Sequence, residues 1–84
     1  MSLIHSRNPV YWRMDLRLSR EHLVQAERHI ALSDKAIARQ IQIIDELEVG
    51  GHPTVLALDL LATFHAARAI HVAHRDLIRK ELEP

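Results

Sequence analysis

Apolar residues recur along this chain with the period of a helix. Leu23, Ile30, Ile37 and Ile44 return every seven positions, and Ala26, Ser33, Gln40 and Leu47 each follow three residues later. This is a heptad seam, widened near its end by Ile41 and Ile43, and it predicts a long helix that buries one stripe. A second stripe runs through Ala57, Leu60, Leu61, Phe64, Ala67, Ile70, His71, His74, Leu77 and Ile78. No window alternates apolar and polar residues between turn signals, so no strand is expected.

Helix breakers are sparse. Pro9 marks an N-terminal segment, Gly50-Gly51-His52-Pro53 is the internal break, and Pro84 stands at the end. Ser19 is the expected N-cap of the first helix, with Glu21 in its first turn and Asp15 as the alternative start. Gly50 is the expected left-handed residue that terminates it. Pro53 or Thr54 opens the second helix, and Arg75, Arg79 and Lys80 complement the dipole at its far end. These signals predict an arm over residues 1–18, helix 1 over about 19–48, a turn at 49–53 and helix 2 over about 54–82. Two helices of roughly 45 Å joined by so short a turn must fold back antiparallel.

The expected fold is therefore all-α, an antiparallel helical hairpin. Each helix of an isolated hairpin buries a single stripe, against a backbone entropy cost on the order of 1–2 kcal/mol per residue. Pairing two hairpins into a four-helix bundle closes the core, so a homodimer is expected. Charge placement agrees with that. Arg7, Arg13, Arg17 and Arg20 crowd the first twenty residues, whereas Asp45, Glu46 and Glu48 sit at the end of helix 1 that its dipole disfavours for acids. An antiparallel partner could bring one cluster to the other; the alternative is that both are solvated.

Composition narrows the function classes. The 84 residues are 48% hydrophobic and carry 11 basic against 11 acidic side chains, too apolar for a disordered chain and too balanced for a polyanion binder. The absence of cysteine excludes disulfides, thiolate metal sites and a cysteine nucleophile. No uninterrupted apolar run approaches the roughly 18 residues of a membrane span, and no signal peptide is read at the start, so a cytoplasmic protein without a membrane is expected. The only aromatic residues are Tyr11, Trp12 and Phe64, which leaves an aliphatic core.

Seven histidines are many for this length. With the turn centred near residue 51, facing residues have numbers summing to roughly 102 or 103, a register good to about one helical turn. That sets His29 opposite His74 with His71 beside it, Asp34 opposite Arg68, Glu27 opposite Arg75, and Gln40 opposite Thr63. His29, His71 and His74 are thus candidate metal ligands, with Glu27 or Asp34 as an oxygen donor. The competing reading, which the missing Glu-x-x-His and His-Glu-x-x-His motifs favour, is a set of half-buried, hydrogen-bonded histidines. Such a set could also respond to pH, because protonating His29 beside His74 would create like charges. His5, His52 and His65 receive no role.

Catalysis finds no support: no serine sits in a nucleophile elbow, and there is no glycine-rich phosphate loop. No enzyme and no cofactor are expected. The basic arm with Tyr11 and Trp12 can be read as a weak nucleic-acid contact, but packing of the two rings over the open end of the bundle is the preferred reading. What remains is a non-enzymatic helical interaction or regulatory module that presents its faces to a protein partner. A metal-binding or pH-sensing bundle is the alternative.

The strings Ala26-Glu27-Arg28-His29-Ile30, Ile37-Ala38-Arg39-Gln40, Gly51-His52, Leu60-Leu61-Ala62-Thr63-Phe64 and His71 followed by His74-Arg75-Asp76 resemble a group of short two-helix proteins of alphaproteobacteria, the rhizobia and their relatives. The resemblance covers about residues 22–78. It implies two helices and a turn. That group has no known function, so no catalytic or binding residue carries over. Ser33 stands where the group often has glycine, and Pro53 where it often has an aspartate cap.

Overall fold

A computed structural model describes the backbone of residues 9–83 and the side chains of residues 16–83. The described residues are all helix and turn: α1 spans Pro9–Val49 and α2 spans Val55–Leu82, and the two pack against each other. α1 thus begins at Pro9, well before the expected cap at Ser19. Proline suits a first helical turn, because its missing N–H would be unsatisfied there anyway. Beyond it no residue breaks the helix, and Leu16 and Ser19 continue the heptad toward the N-terminus. Ser19 is a half-buried seam residue within the helix rather than its cap. The expected arm is therefore helical from residue 9 onward. Residues 1–8, including His5 and Arg7, and the side chains of Tyr11, Trp12 and Arg13 lie outside the described residues.

The turn is closed by backbone hydrogen bonds. The His52 N–H donates to the Leu47 carbonyl at 2.8 Å and the Gly51 N–H to the Glu48 carbonyl at 3.0 Å. This is a Schellman ending, in which the residue just past the cap adopts a left-handed conformation. That residue is Gly51, with φ of 73°, and not Gly50 as expected. Gly50 answers to space instead: a Cβ there would stand 2.8 Å from Cδ2 of His52, whose ring lies over it. Thr54 occupies the N-cap of α2 without making a side-chain capping bond. Arg79 and Lys80 occupy the last turn of α2, as the dipole favours.

Labelling Leu23, Ile30, Ile37 and Ile44 as heptad position a and Ala26, Ser33, Gln40 and Leu47 as d describes the packed face of α1. Ala26, Ile30, Ile44 and Gln40 on this face are buried, together with Ile78 of α2. On α2 the inward positions are Ala57, Phe64, His71 and Ile78 at d and Leu61, Arg68, Arg75 and Leu82 at a, all half-buried or buried. The single broad stripe expected for α2 is therefore two stripes. Leu60, Ile70, His74 and Leu77 face away from α1 and are exposed.

The result is long and thin, 68 × 20 × 15 Å. Its radius of gyration of 19.7 Å compares with about 12 Å for a compact domain of this length. At 1.5 Å per residue α1 is about 61 Å long and α2 about 42 Å, so the start of α1 projects past the end of α2.

Candidate functional site

Contacts across the hairpin fix which flanks of the helices share a side. Arg79 Nη2 of α2 meets Glu27 Oε2 of α1 at 3.2 Å, and both occupy heptad position e. Arg68 Nε donates to Asp34 Oδ1, also at e, at 2.6 Å. The e flanks therefore lie together on one side, and the g flanks lie together on the other, as in any antiparallel helix pair. The facing of Asp34 and Arg68 agrees with the sequence reading. Glu27, however, pairs with Arg79 and not with Arg75, which bonds its own neighbour Asp76 at 3.0 Å. Gln40 faces not Thr63 but the first turn of α2, where its Nε2 donates to the Ala57 carbonyl at 2.9 Å. A buried amide at a d position that bonds the backbone of the facing helix favours one register of the helices.

The g side forms the candidate site. Position g carries His22, His29, Ala36 and Ile43 on α1 and Leu60, Ala67, His74 and Glu81 on α2. Beside them, position c adds Leu18, Gln25, Leu32 and Arg39 from α1 and Leu56, Thr63, Ile70 and Leu77 from α2. Leu56, Ile70 and Leu77 are 83%, 68% and 62% exposed. Leu18, Leu32 and Leu60 are exposed as well. Thr63 fits this apolar setting because its hydroxyl donates to the Asp59 carbonyl one turn back, at 3.2 Å, which leaves its methyl group free to pack. The repeat is a second heptad seam, offset by one residue from the first, and α1 does not cover it.

Histidines mark the half of this side away from the turn. His29 is brought to His71, not to His74: their ring centroids are 5.1 Å apart and the rings are tilted by 52°. His71 points into the seam, whereas His29, His74 and His22 are exposed along the g flank. Among the described residues, no three histidine, aspartate or glutamate side chains are grouped so as to hold a metal ion. His65 lies exposed on the e flank, and His52 lies in the turn.

The sequence stripe missed Arg68 and Arg75 as seam residues. Strict spacing from Leu61 by seven finds both; their aliphatic stems cover the seam while the guanidinium groups reach its edge. By length and composition α2 is also apolar enough to cross a membrane. The absence of an uninterrupted apolar run concealed this, because Asp59 and Arg68 break a segment that passes when composition alone is counted. The second seam accounts for that richness, since α2 carries two apolar faces where α1 covers one.

Comparison with known protein families, with characterised proteins and with solved structures finds no match to this chain.

Proposed function

We propose that the chain is a non-enzymatic helical interaction module that works as a homodimer, two hairpins pairing through their g sides into a four-helix bundle. The observation that carries this reading is the uncovered second seam, in which Leu56, Leu60, Ile70 and Leu77 stand exposed in heptad register along α2, with Thr63, Ala67, His74 and Glu81 between them. Its area suits a second copy. A strip about 42 Å long and 20 Å broad offers about 800 Å² per partner, the size of a standard stable interface.

Side-chain character along the g side selects the arrangement. With turns at opposite ends, the histidine-bearing half of each g side meets the aliphatic half of its partner around Ile43, Leu56 and Leu60. Turns at the same end would set histidines against histidines. A cytoplasmic location follows from the same reading, because a paired α2 has its apolar faces covered and needs no bilayer. The dimer then offers its e sides, with their alternating charges, to further protein partners.

Light scattering during size exclusion at micromolar concentration tests this, alongside flotation with lipid vesicles. The expected result is a dimer that stays with the soluble fraction. A monomer that floats with vesicles would overturn the proposal in favour of a bilayer as the cover for α2.

A further inference from the structure

Resting on that dimer, we infer that its assembly is gated by protons through His22, His29 and His74. All three occupy position g, in the half of the apolar side away from the turn, and all three are exposed in the hairpin. With turns at opposite ends, that half covers the part of the partner nearest its own turn, where Ile43, Leu56 and Leu60 lie. Pairing thus moves each imidazole from water onto an aliphatic surface. Histidine is the side chain whose charge changes between about pH 5 and 8, and burial against an apolar surface disfavours its charged form.

The groups around these rings do not offset that cost. Facing His29 from α2 is His71, with ring centroids 5.1 Å away; Arg75, on the opposite edge of the seam, is engaged by Asp76. On the same side of the hairpin, at about the level of His74, α1 carries His22, Gln25 and His29. Glu81, at position g beyond His74, is the one acid on this flank of α2, and it stands near His22 at the outermost level. From the partner, the charged residues of the covering region are Arg39 and Glu46, one of each sign. Protonation therefore adds like charges, on His22, His29 and His74 of each hairpin, to a layer made otherwise of His71 and aliphatic side chains. The sign follows: the dimer takes up protons less readily than two separate hairpins, so acidification drives it apart.

The test compares the dimer dissociation constant of the full chain at pH 8.0 and pH 5.5 by sedimentation, in parallel with a variant carrying His22→Gln, His29→Gln and His74→Gln. Far-UV circular dichroism at both values follows helicity. The wild type is expected to dimerise at pH 8.0 and to weaken roughly 100-fold at pH 5.5, a pH still above the ordinary range of carboxylates. The variant should remain dimeric at both values. A wild type equally dimeric at both pH values overturns the inference and leaves the dimer standing. A variant that dissociates in acid as the wild type does assigns the effect to other groups and also overturns it. A wild type that is monomeric already at pH 8.0 overturns the dimer reading itself.

Discussion

The two sides of this hairpin are built from the same heptad and come out opposite in character. On the e side, Glu27 and Asp34 of α1 reach Arg79 and Arg68 of α2, so the flanking positions close onto each other as ion pairs. On the g side the same geometric slots hold Ala36, Ile43, Leu60 and Ala67 with three histidines and Glu81, and no ion pair crosses among the described residues. Apolar side chains do appear on the e side, where Val24, Ile41, Val55 and Leu58 are exposed, but they are fewer, and ion pairs take their place toward the open end. One side is finished within the hairpin. The other carries more of the large exposed aliphatic side chains, and nothing in the hairpin covers it.

The sharpest way to break that contrast is to place the same charge on each side. Leu60→Glu with Ile70→Glu should abolish the dimer, weakening it by about 4 kcal/mol or roughly 1,000-fold in Kd, because buried carboxylates would have no partner. Val24→Glu with Ile41→Glu on the e side should change the association by no more than about 0.5 kcal/mol. Equal effects of the two pairs in sedimentation would erase the distinction between the sides.

A second substitution pair separates the inner seam from the outer one. Ile30→Ala removes a buried side chain from the seam between α1 and α2, and should cost about 2–4 kcal/mol in stability at any protein concentration. Leu32→Ala, two residues further on and facing the outer seam, should instead lower the melting temperature by an amount that depends on concentration, since its loss is felt only in the paired state. Thermal unfolding at several protein concentrations reads both outcomes.

How far the fold was legible in the sequence follows from the same two seams. The a and d residues of α1 stood out because isoleucine and leucine fill a with strict spacing, and the packed face is the expected one. On α2 the inner and outer seams lie one residue apart. A reading by hydrophobicity alone merges them, and the merged stripe took in Leu60, Ile70 and Leu77 while passing over Arg68 and Arg75. The start of α1 was misplaced because Ser19 resembles a cap, yet serine is also a small d residue that lets helices approach. The histidine facing was wrong by one turn. A register counted from the middle of the turn cannot resolve His71 from His74, which sit three residues apart on adjoining flanks.

The turn offers a smaller effect. Gly51→Ala forces a Cβ onto a backbone with φ of 73° and should cost about 1–2 kcal/mol, measured by chemical denaturation. Gly50→Ala should cost less, although a Cβ there meets His52, because the exposed imidazole can swing away. The reverse ranking would show that the ring of His52 and not the Schellman geometry holds the turn.

The ion pairs of the e side should give the smallest effect of all. Arg68 and Asp34 approach to 2.6 Å, but their side chains are 40% and 55% exposed, so water and salt screen the pair. A double-mutant cycle with Asp34→Asn and Arg68→Gln should return a coupling of about 0.5 kcal/mol, falling as salt is raised from 0.05 to about 0.5 M. Arg68→Ala is expected to cost more than Arg68→Gln, because it also strips the aliphatic stem that covers position a of the seam. A coupling above about 2 kcal/mol that resists salt would mean the pair is shielded in the assembled protein. The e side would then be a buried surface too, and the division between a finished side and an open one would fail.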